Sequence, residues 1–309
     1  MLFLYIFIAI LLLSVIFVFA PAVVCYRSVF GRRKVLPLDD ERLHKPSVEL
    51  YKERMLSDLR YLKEAGYERV SITAKDGVTL CADHYDRGAD KTAVMVHGYN
   101  ADPYVNLVSP ARWLYDSGFN LLVIYQRAHS YSGGKQSGMG LLEQDDVLSW
   151  IGYLENNDPS QRILLYGASM GGTTLAYLSD RMTDEHVKCM MIDSAYVSTQ
   201  HQLRHDAKRM HLPFGVLIPL IRLLCRHDMH IDINEQTVGH LKNAKKPILF
   251  FHTTNDPTVD LSEGQANFEA CTSGKQMVIV DSDGHTTAFL AGEEQVTKAM
   301  SNYIEQYIK

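Results

Sequence analysis

Ser169 lies in the run Leu164-Leu165-Tyr166-Gly167-Ala168-Ser169-Met170-Gly171-Gly172. An apolar stretch leads in, and small, helix-compatible residues (Thr173, Thr174, Leu175, Ala176) lead out. Gly-x-Ser-x-Gly between a strand and a helix describes a nucleophile elbow, a sharp turn that holds a hydroxyl exposed at a strained corner. Side chains at 167 and 171 would collide with neighbouring backbone in so tight a turn. A serine hydroxyl is a poor nucleophile unaided. It needs a base within hydrogen-bond reach, a group that orients the base, and donors for the oxyanion that develops on attack.

The chain offers a candidate for each role. Ser282-Asp283-Gly284-His285-Thr286-Thr287 follows the last apolar run, Met277 to Val280. Of the 13 histidines, His285 is singled out as general base by that position. The loop after Ile248 to Phe251 reads His252-Thr253-Thr254-Asn255-Asp256-Pro257-Thr258-Val259-Asp260. Asp256 is the expected orienting carboxylate and completes the chain order Ser, Asp, His. Asp260 is a rival that also suits the cap of a helix starting near Leu261, and Asp193 is another at an earlier strand end. His97-Gly98-Tyr99-Asn100 directly follows the run Ala93 to Val96. The backbone N–H of Tyr99 and that of Met170, the residue after the nucleophile, are the expected oxyanion donors.

Such groups need a frame. Asp76-Gly77 marks a turn between Val70 to Thr73 and an alternating segment from Val78 to His84, an antiparallel pair. Continuous apolar runs follow at Ala93 to Val96, Leu121 to Ile124, Ile163 to Leu165, Met190 to Ile192, Ile248 to Phe251 and Met277 to Val280. Runs of this kind mark strands covered on both faces, as in a parallel sheet. Helical periodicities lie between most of them. Asp102-Pro103 begins one helix with Leu107, Ala111 and Leu114 inward. Val147, Leu148, Ile151 and Leu154 define another, and Val296, Ala299, Met300, Tyr303 and Ile304 a last one. The fold class expected is α/β, with a mostly parallel, doubly wound sheet. Residues 196–243 are too long for a simple connection and carry the apolar stretch Leu212 to Leu220, so a helical cap over the site is expected there.

The N-terminus reads differently. Met1 to Tyr26 contain no charged residue, long enough for a transmembrane helix. Without a basic leader or a good cleavage site it reads as an uncleaved anchor over 1–26 rather than a signal peptide. Arg27, Arg32, Arg33 and Lys34 follow it, which places a single-pass protein with its catalytic domain on the cytoplasmic side of the cell membrane. Residues 27–69 form a connector and an amphipathic helix with Val48, Tyr51, Met55, Leu59 and Leu62 on one face and Gly66 at its end. The catalytic domain spans 70–309.

Composition excludes several classes. Apolar content of 46% and charged content of 22% suit a globular domain. A net charge of -5 provides no basic field for nucleic acid. The five cysteines are scattered without C-x-x-C spacing, which excludes a disulfide framework and a cysteine-based zinc site. His201 and His205 share a helical spacing, and His211, His227, His230 and His240 lie nearby, but no acidic or cysteine partner completes a metal set. Neither metal nor organic cofactor is expected.

Taken together, His97-Gly98-Tyr99, Arg127 to Gly134, Gly167 to Gly172, Asp256 and Gly284-His285 resemble the α/β-hydrolase superfamily. The chain is similar to bacterial membrane-anchored serine hydrolases of the serine aminopeptidase-like or lysophospholipase-like group. That resemblance implies the α/β-hydrolase fold and a Ser169–His285–Asp256 triad acting through an acyl-enzyme. It departs from the usual pattern where Tyr125 replaces an Asp, where Ala128 and Ser130 replace glycines, and where Thr253 replaces a glycine before the acid. An apolar cap and a membrane tether favour a carboxylic ester with an apolar acyl or alkyl part, a small-molecule or lipid-like substrate, as for a carboxylesterase or lipase. A peptidase of aminopeptidase type is the alternative, with Asp206, Asp228 or Glu235 to hold the substrate amine. A non-catalytic scaffold on a hydrolase fold would have no need of all these groups.

Overall fold

The computed structural model describes residues 1–7, 15–209 and 214–308. Eight strands form one sheet: β1 (Glu68–Thr73), β2 (Thr79–Tyr85), β3 (Lys91–Val96), β4 (Asn120–Tyr125), β5 (Arg162–Ala168), β6 (Val187–Asp193), β7 (Ile248–Thr253) and β8 (Lys275–Val280). Their order is β1-β2-β4-β3-β5-β6-β7-β8. The β1–β2 and β2–β4 pairs are antiparallel and all others parallel. Each expected apolar run is a strand. β8 departs from two-sided burial, since Lys275, Gln276 and Ile279 are exposed. It is the sheet edge, where one side has no neighbour to cover it.

Strand order explains where a site can form. From β3 the chain steps to β4 on one side, then returns to β5 on the other. The loops leaving β3 and β5 therefore diverge across the sheet, and a crevice opens outside their carboxyl ends. Both hydrophobic faces are filled. Leu107, Leu114, Phe119 and Tyr303 lie in the cluster on one face, and Trp150, Ile151, Leu175 and Leu178 in that on the other. Asp102 caps the helix Pro103–Asp116, its carboxylate accepting the Tyr104 N–H at 3.2 Å. Met55, Leu59 and Leu62 are buried in the first cluster, so the amphipathic helix, Lys52–Ala65, packs on the domain, and Val48 joins them from a separate short helix, Pro46–Glu49.

The insertion is helical, with Thr199–Arg209 and Phe214–Met229 as its main elements and a short turn of helix at Thr237–Leu241. Leu212 and Pro213 of its apolar stretch, and His211, lie outside the described residues. A third cluster joins Leu203, Leu217, Ile221 and Cys225 of these helices to Ala22, Tyr26 and Phe30.

Those last three belong to the helix Ala20–Phe30, which runs across position 26, where the sequence reading ends its anchor. Val15–Phe19 form a π-helical turn before it, and residues 2–7 are helical. Among the described residues no helix is long and apolar enough to cross a membrane. The single span expected there includes residues 8–14, which lie outside the described set. All five cysteines are free.

One close approach sets the geometry of the sheet's centre. A Cβ on Gly171 would stand 2.0 Å from the Val96 carbonyl oxygen, at the end of the adjacent β3. Gly152, in the helix Glu143–Asn157, has nothing within 4 Å of such a Cβ. Gly171→Ala is expected to cost more than about 3 kcal/mol, because backbone must move to admit the methyl. Gly152→Ala is expected to gain about 0.5–1 kcal/mol from helix propensity. Thermal or urea unfolding of the two variants checks this, and similar midpoints would contradict it.

Candidate active site

Ser169 joins β5 to the helix Met170–Leu178 with φ 54° and ψ -119°, a left-handed conformation that side chains rarely adopt. Strain of this kind costs on the order of 1–3 kcal/mol and is held by the surroundings. Here the Ser169 N–H donates to the Asp193 carbonyl at 2.8 Å, and the Ser169 carbonyl accepts the Thr173 N–H at 2.8 Å. The turn leaves the hydroxyl facing the crevice. It donates to His285 Nε2 at 2.8 Å. On the other side of the ring, Nδ1–H donates to Asp256 Oδ2 at 2.7 Å. The structure thus brings Ser169, His285 and Asp256 into one relay across three loops.

The Asp256 side chain is fully buried, while His285 is 16% exposed. Burial alone would push the Asp256 carboxyl up. The adjacent His285, its hydrogen bond, and N–H groups of Val259 and Thr258 outweigh that and hold it below the usual carboxylate range. Those amides donate to Oδ1 at 3.0 and 2.8 Å. The carboxylate therefore stays charged while pointing one oxygen at His285. Asp260, the rival, is exposed at the N-cap position of the helix Leu261–Ala270, and its side chain makes no capping bond.

The Tyr99 loop sits opposite. Gly98 comes so close that a Cβ there would lie 3.2 Å from the Ser169 Cβ. This brings the chain around Tyr99 beside Met170, the first residue of the elbow helix. Among the described residues neither the Tyr99 nor the Met170 N–H has a hydrogen-bond acceptor. Helix N-termini favour negative charge, which suits the Met170 amide to an oxyanion. The next residue, Asn100, has φ 49° and donates its N–H to His129 Nε2 at 3.1 Å. Burial lowers the pKa of His129, which keeps its ring neutral and able to accept. His97 is neutral too, pushed down to about 3 by burial, and its Nε2 accepts the Gln126 N–H at 3.0 Å.

Several supporting residues escaped the sequence reading. The Thr253 hydroxyl donates to the Gly284 carbonyl at 2.6 Å, and Asn255 donates to Asp283 at 2.8 Å. These bonds tie the acid loop to the histidine loop. The departure at Thr253 was visible in sequence; its partner was not. Glu143 is buried and gathers the loop beneath the cap, accepting from Ser137 Oγ, Gly138 N and Gly140 N at 2.8–2.9 Å. Tyr125, in the position of the family's Asp, donates to Asp83 Oδ2 at 2.7 Å, so β2 supplies a carboxylate next door. Ala128 and Ser130, in place of glycines, do take positive φ, 59° and 40°.

A cavity of ≈ 590 Å³ opens over Ser169 and His285. Leu50, Tyr51, Val105, Met139 and Pro257 form apolar parts of its wall, and Lys45, Asp206, Arg209 and Asp283 charged parts. Of the three acids considered for an amine, only Asp206 is in this wall. Asp228 accepts from the Tyr26 hydroxyl at 3.0 Å, and Glu235 pairs with His240 at 2.8 Å. The cap histidines do not converge: His201 pairs with Glu263 at 2.9 Å, His227 with Asp228 and His240 with Asp180 and Glu235. Among the described residues the one group with metal-ligand spacing is Glu155, Asp184 and His186. Glu155 comes from the helix Glu143–Asn157, and Asp184 and His186 precede β6, at the end of the sheet opposite Ser169.

Two family models match the chain. One described as serine aminopeptidase, S33, matches residues 88–238, and one described as TAP-like protein matches 222–307. YfhR of Escherichia coli (strain K12), an uncharacterized protein, is 30% identical over 233 residues, 72% of this chain and 74% of its own. YqkD of Bacillus subtilis (strain 168), also uncharacterized, is 20% identical over 220 residues, 69% and 71% of the two chains. Among solved structures, the Pyrococcus furiosus esterase Pf2001 superposes with a TM-score of 0.68 at 21% identity, covering 91% of this chain and 98% of its own. An esterase from Exiguobacterium antarcticum gives 0.57 at 16%, covering 77% and 100%. The chain belongs to the α/β-hydrolase superfamily.

Asp193, the other rival acid, is wholly buried beneath the site and bonded by Ser194 Oγ at 2.9 Å. Burial pushes its carboxyl up to about 7, against the pull of Ser194 and His285. The folded chain therefore keeps a proton that the unfolded chain releases near pH 4. The stabilisation is complete below that pH and is lost as pH rises through about 7. Asp193→Asn cannot ionise, so its Tm relative to wild type is expected to be higher at about pH 8 than at about pH 5. A pH-independent difference would show that Asp193 does not titrate in the fold.

Proposed function

We propose that this protein is a serine hydrolase that cleaves carboxylic esters, with Ser169 as nucleophile, His285 as base and Asp256 as its orienting acid. The observation that carries the reading is the unbroken Ser169–His285–Asp256 relay at 2.8 and 2.7 Å on the floor of a cavity. His285 Nε2 takes the hydroxyl proton as Ser169 Oγ attacks the acyl carbon. Asp256 holds the Nδ1–H tautomer and stabilises the imidazolium. The Tyr99 and Met170 amides receive the oxyanion. Protonated His285 then gives its proton to the leaving alkoxide, which departs and leaves an acyl-enzyme. Water, deprotonated by the same nitrogen, releases the acid and restores Ser169.

The apolar wall of Leu50, Val105, Met139 and Pro257 favours an ester with an apolar acyl or alkyl part. An aminopeptidase reading has one observation in its favour, Asp206 in the same wall, beside the S33 description of the matching family model. We also assign residues 1–26 to a membrane tether, with residues 70–309 as the catalytic domain facing the cytoplasm. The support is the uncharged N-terminal run, the exposed Leu2, Phe3, Leu4 and Phe7, and the basic residues that follow at 27–34.

A fluorophosphonate probe is expected to label the wild-type chain and not Ser169→Ala; labelling that persists in the variant would remove Ser169 from the role. Substrate class follows from p-nitrophenyl acyl esters set against aminoacyl anilides. Esters are expected to be turned over at least about tenfold better in kcat/KM. Preference for anilides, with KM raised by Asp206→Asn, would establish the peptidase instead.

A further inference from the structure

Residues 29–45 fall within the stretch 27–46 that reads in sequence as a polar connector, yet they are fastened to the loop that faces Ser169. Leu38 and Leu43 are buried in the main core, so the segment is seated rather than draped. The Tyr99 hydroxyl donates to the Val29 carbonyl at 2.7 Å. Arg33 donates to the same hydroxyl and lies over the Tyr99 ring, 5.0 Å from its centroid. Lys45 Nζ donates to the Asn100 carbonyl at 3.2 Å. With His129 accepting the Asn100 N–H, both backbone groups of the left-handed residue after Tyr99 are held by side chains from outside the loop.

The same segment also holds the neighbouring strained loop. Arg33 N–H donates to the Ala128 carbonyl at 2.8 Å, and the Arg32 guanidinium donates to the Ser130 and Ser132 carbonyls at 2.7 Å. Ala128 and Ser130 are positive-φ residues. That loop also carries His129, the acceptor for Asn100. Two routes therefore lead from the segment to one residue, Asn100, and the two peptides that flank it.

We propose that residues 29–45 are a strap that positions the oxyanion loop, with Arg33 and Lys45 as positioning residues and the Tyr99 hydroxyl as the anchor point. The inference rests on the assignment of the Tyr99 amide as an oxyanion donor. A backbone N–H stabilises a developing charge only if its direction is set before the reaction. Fixing the Tyr99 side chain and the peptide that follows it restricts the rotations that would swing this N–H away. The strap thus makes the stretch next to the N-terminal helix part of the catalytic apparatus, although none of its side chains touches the reacting atoms.

The test uses the full-length chain with Tyr99→Phe, Arg33→Met, the double variant and Arg33→Lys. Tyr99→Phe keeps the ring and removes only the hydroxyl link. Three quantities are read: kcat and KM on a p-nitrophenyl acyl ester, affinity for an alkyl trifluoromethyl ketone that forms a tetrahedral adduct on Ser169, and hydrogen exchange over residues 97–101. Each single variant is expected to lose about tenfold in kcat and in ketone affinity, with KM changed less than about twofold. Exchange over 97–101 should quicken. The double variant should be no worse than Tyr99→Phe alone, since loss of the hydroxyl already removes the Arg33 bond along with that to Val29, and Arg33→Lys should recover part of the Arg33→Met loss. Unchanged kcat and exchange in folded variants would overturn the strap, as would a loss confined to KM or fully additive losses. A wild-type chain inert to both ester and ketone would instead defeat the hydrolase reading, and exchange over 97–101 would still decide whether the strap holds the loop.

Discussion

The contact on which the site depends is backbone against backbone. The elbow helix starts so close to the end of β3 that Gly171 meets the Val96 carbonyl with no room for a side chain. β3 and β5 are neighbours in the sheet, and the chain leaves them in different directions. Without this approach, Met170 at the head of the helix and Tyr99 in the loop after β3 could not lie side by side next to Ser169. The positive φ of Ser169 follows from the same turn. Strain there is tolerated because β6 and the elbow helix take up its backbone hydrogen-bonding groups.

Around that fixed corner the remaining parts are held by polar bonds between loops rather than by core packing. Asp256 is charged inside the protein because two amides and His285 compensate its burial. The acid and histidine loops are stitched together by Thr253 and Asn255. Glu143 does the same for the loop beneath the cap. A carboxylate with several donors has few directions left to it, and directional rigidity is what a relay of hydrogen bonds needs.

Departures from the family pattern are absorbed nearby. Tyr125 finds Asp83 on the adjacent strand, so a carboxylate remains in that part of the network though it comes from a different element. Ala128 and Ser130 keep the left-handed backbone that glycine would take more cheaply. The carbonyls of both are bound by the arginines at 32 and 33. The N-terminal helix likewise joins the domain, because Ala22, Tyr26 and Phe30 lie one turn apart and present one face to the helix Phe214–Met229.

By itself the sequence determined the parallel sheet, the elbow and the loops from which Ser169, Asp256 and His285 project. These are legible because they depend on local rules: apolar runs make buried strands, glycines permit a tight turn, and chemistry collects at strand ends. The sequence already favours Asp256 over Asp260, a few residues on, and Asp193, at an earlier strand end; only three dimensions show which of these carboxylates points at His285. The same holds for Asp206, the one candidate amine-binding acid that reaches the cavity wall. Tertiary structure alone decided that Thr253 braces Gly284, that His129 holds Asn100 and that Val29 anchors Tyr99. Each of these bonds joins residues about 30 or more positions apart, and no local pattern of residue types records which distant carbonyl a hydroxyl will meet.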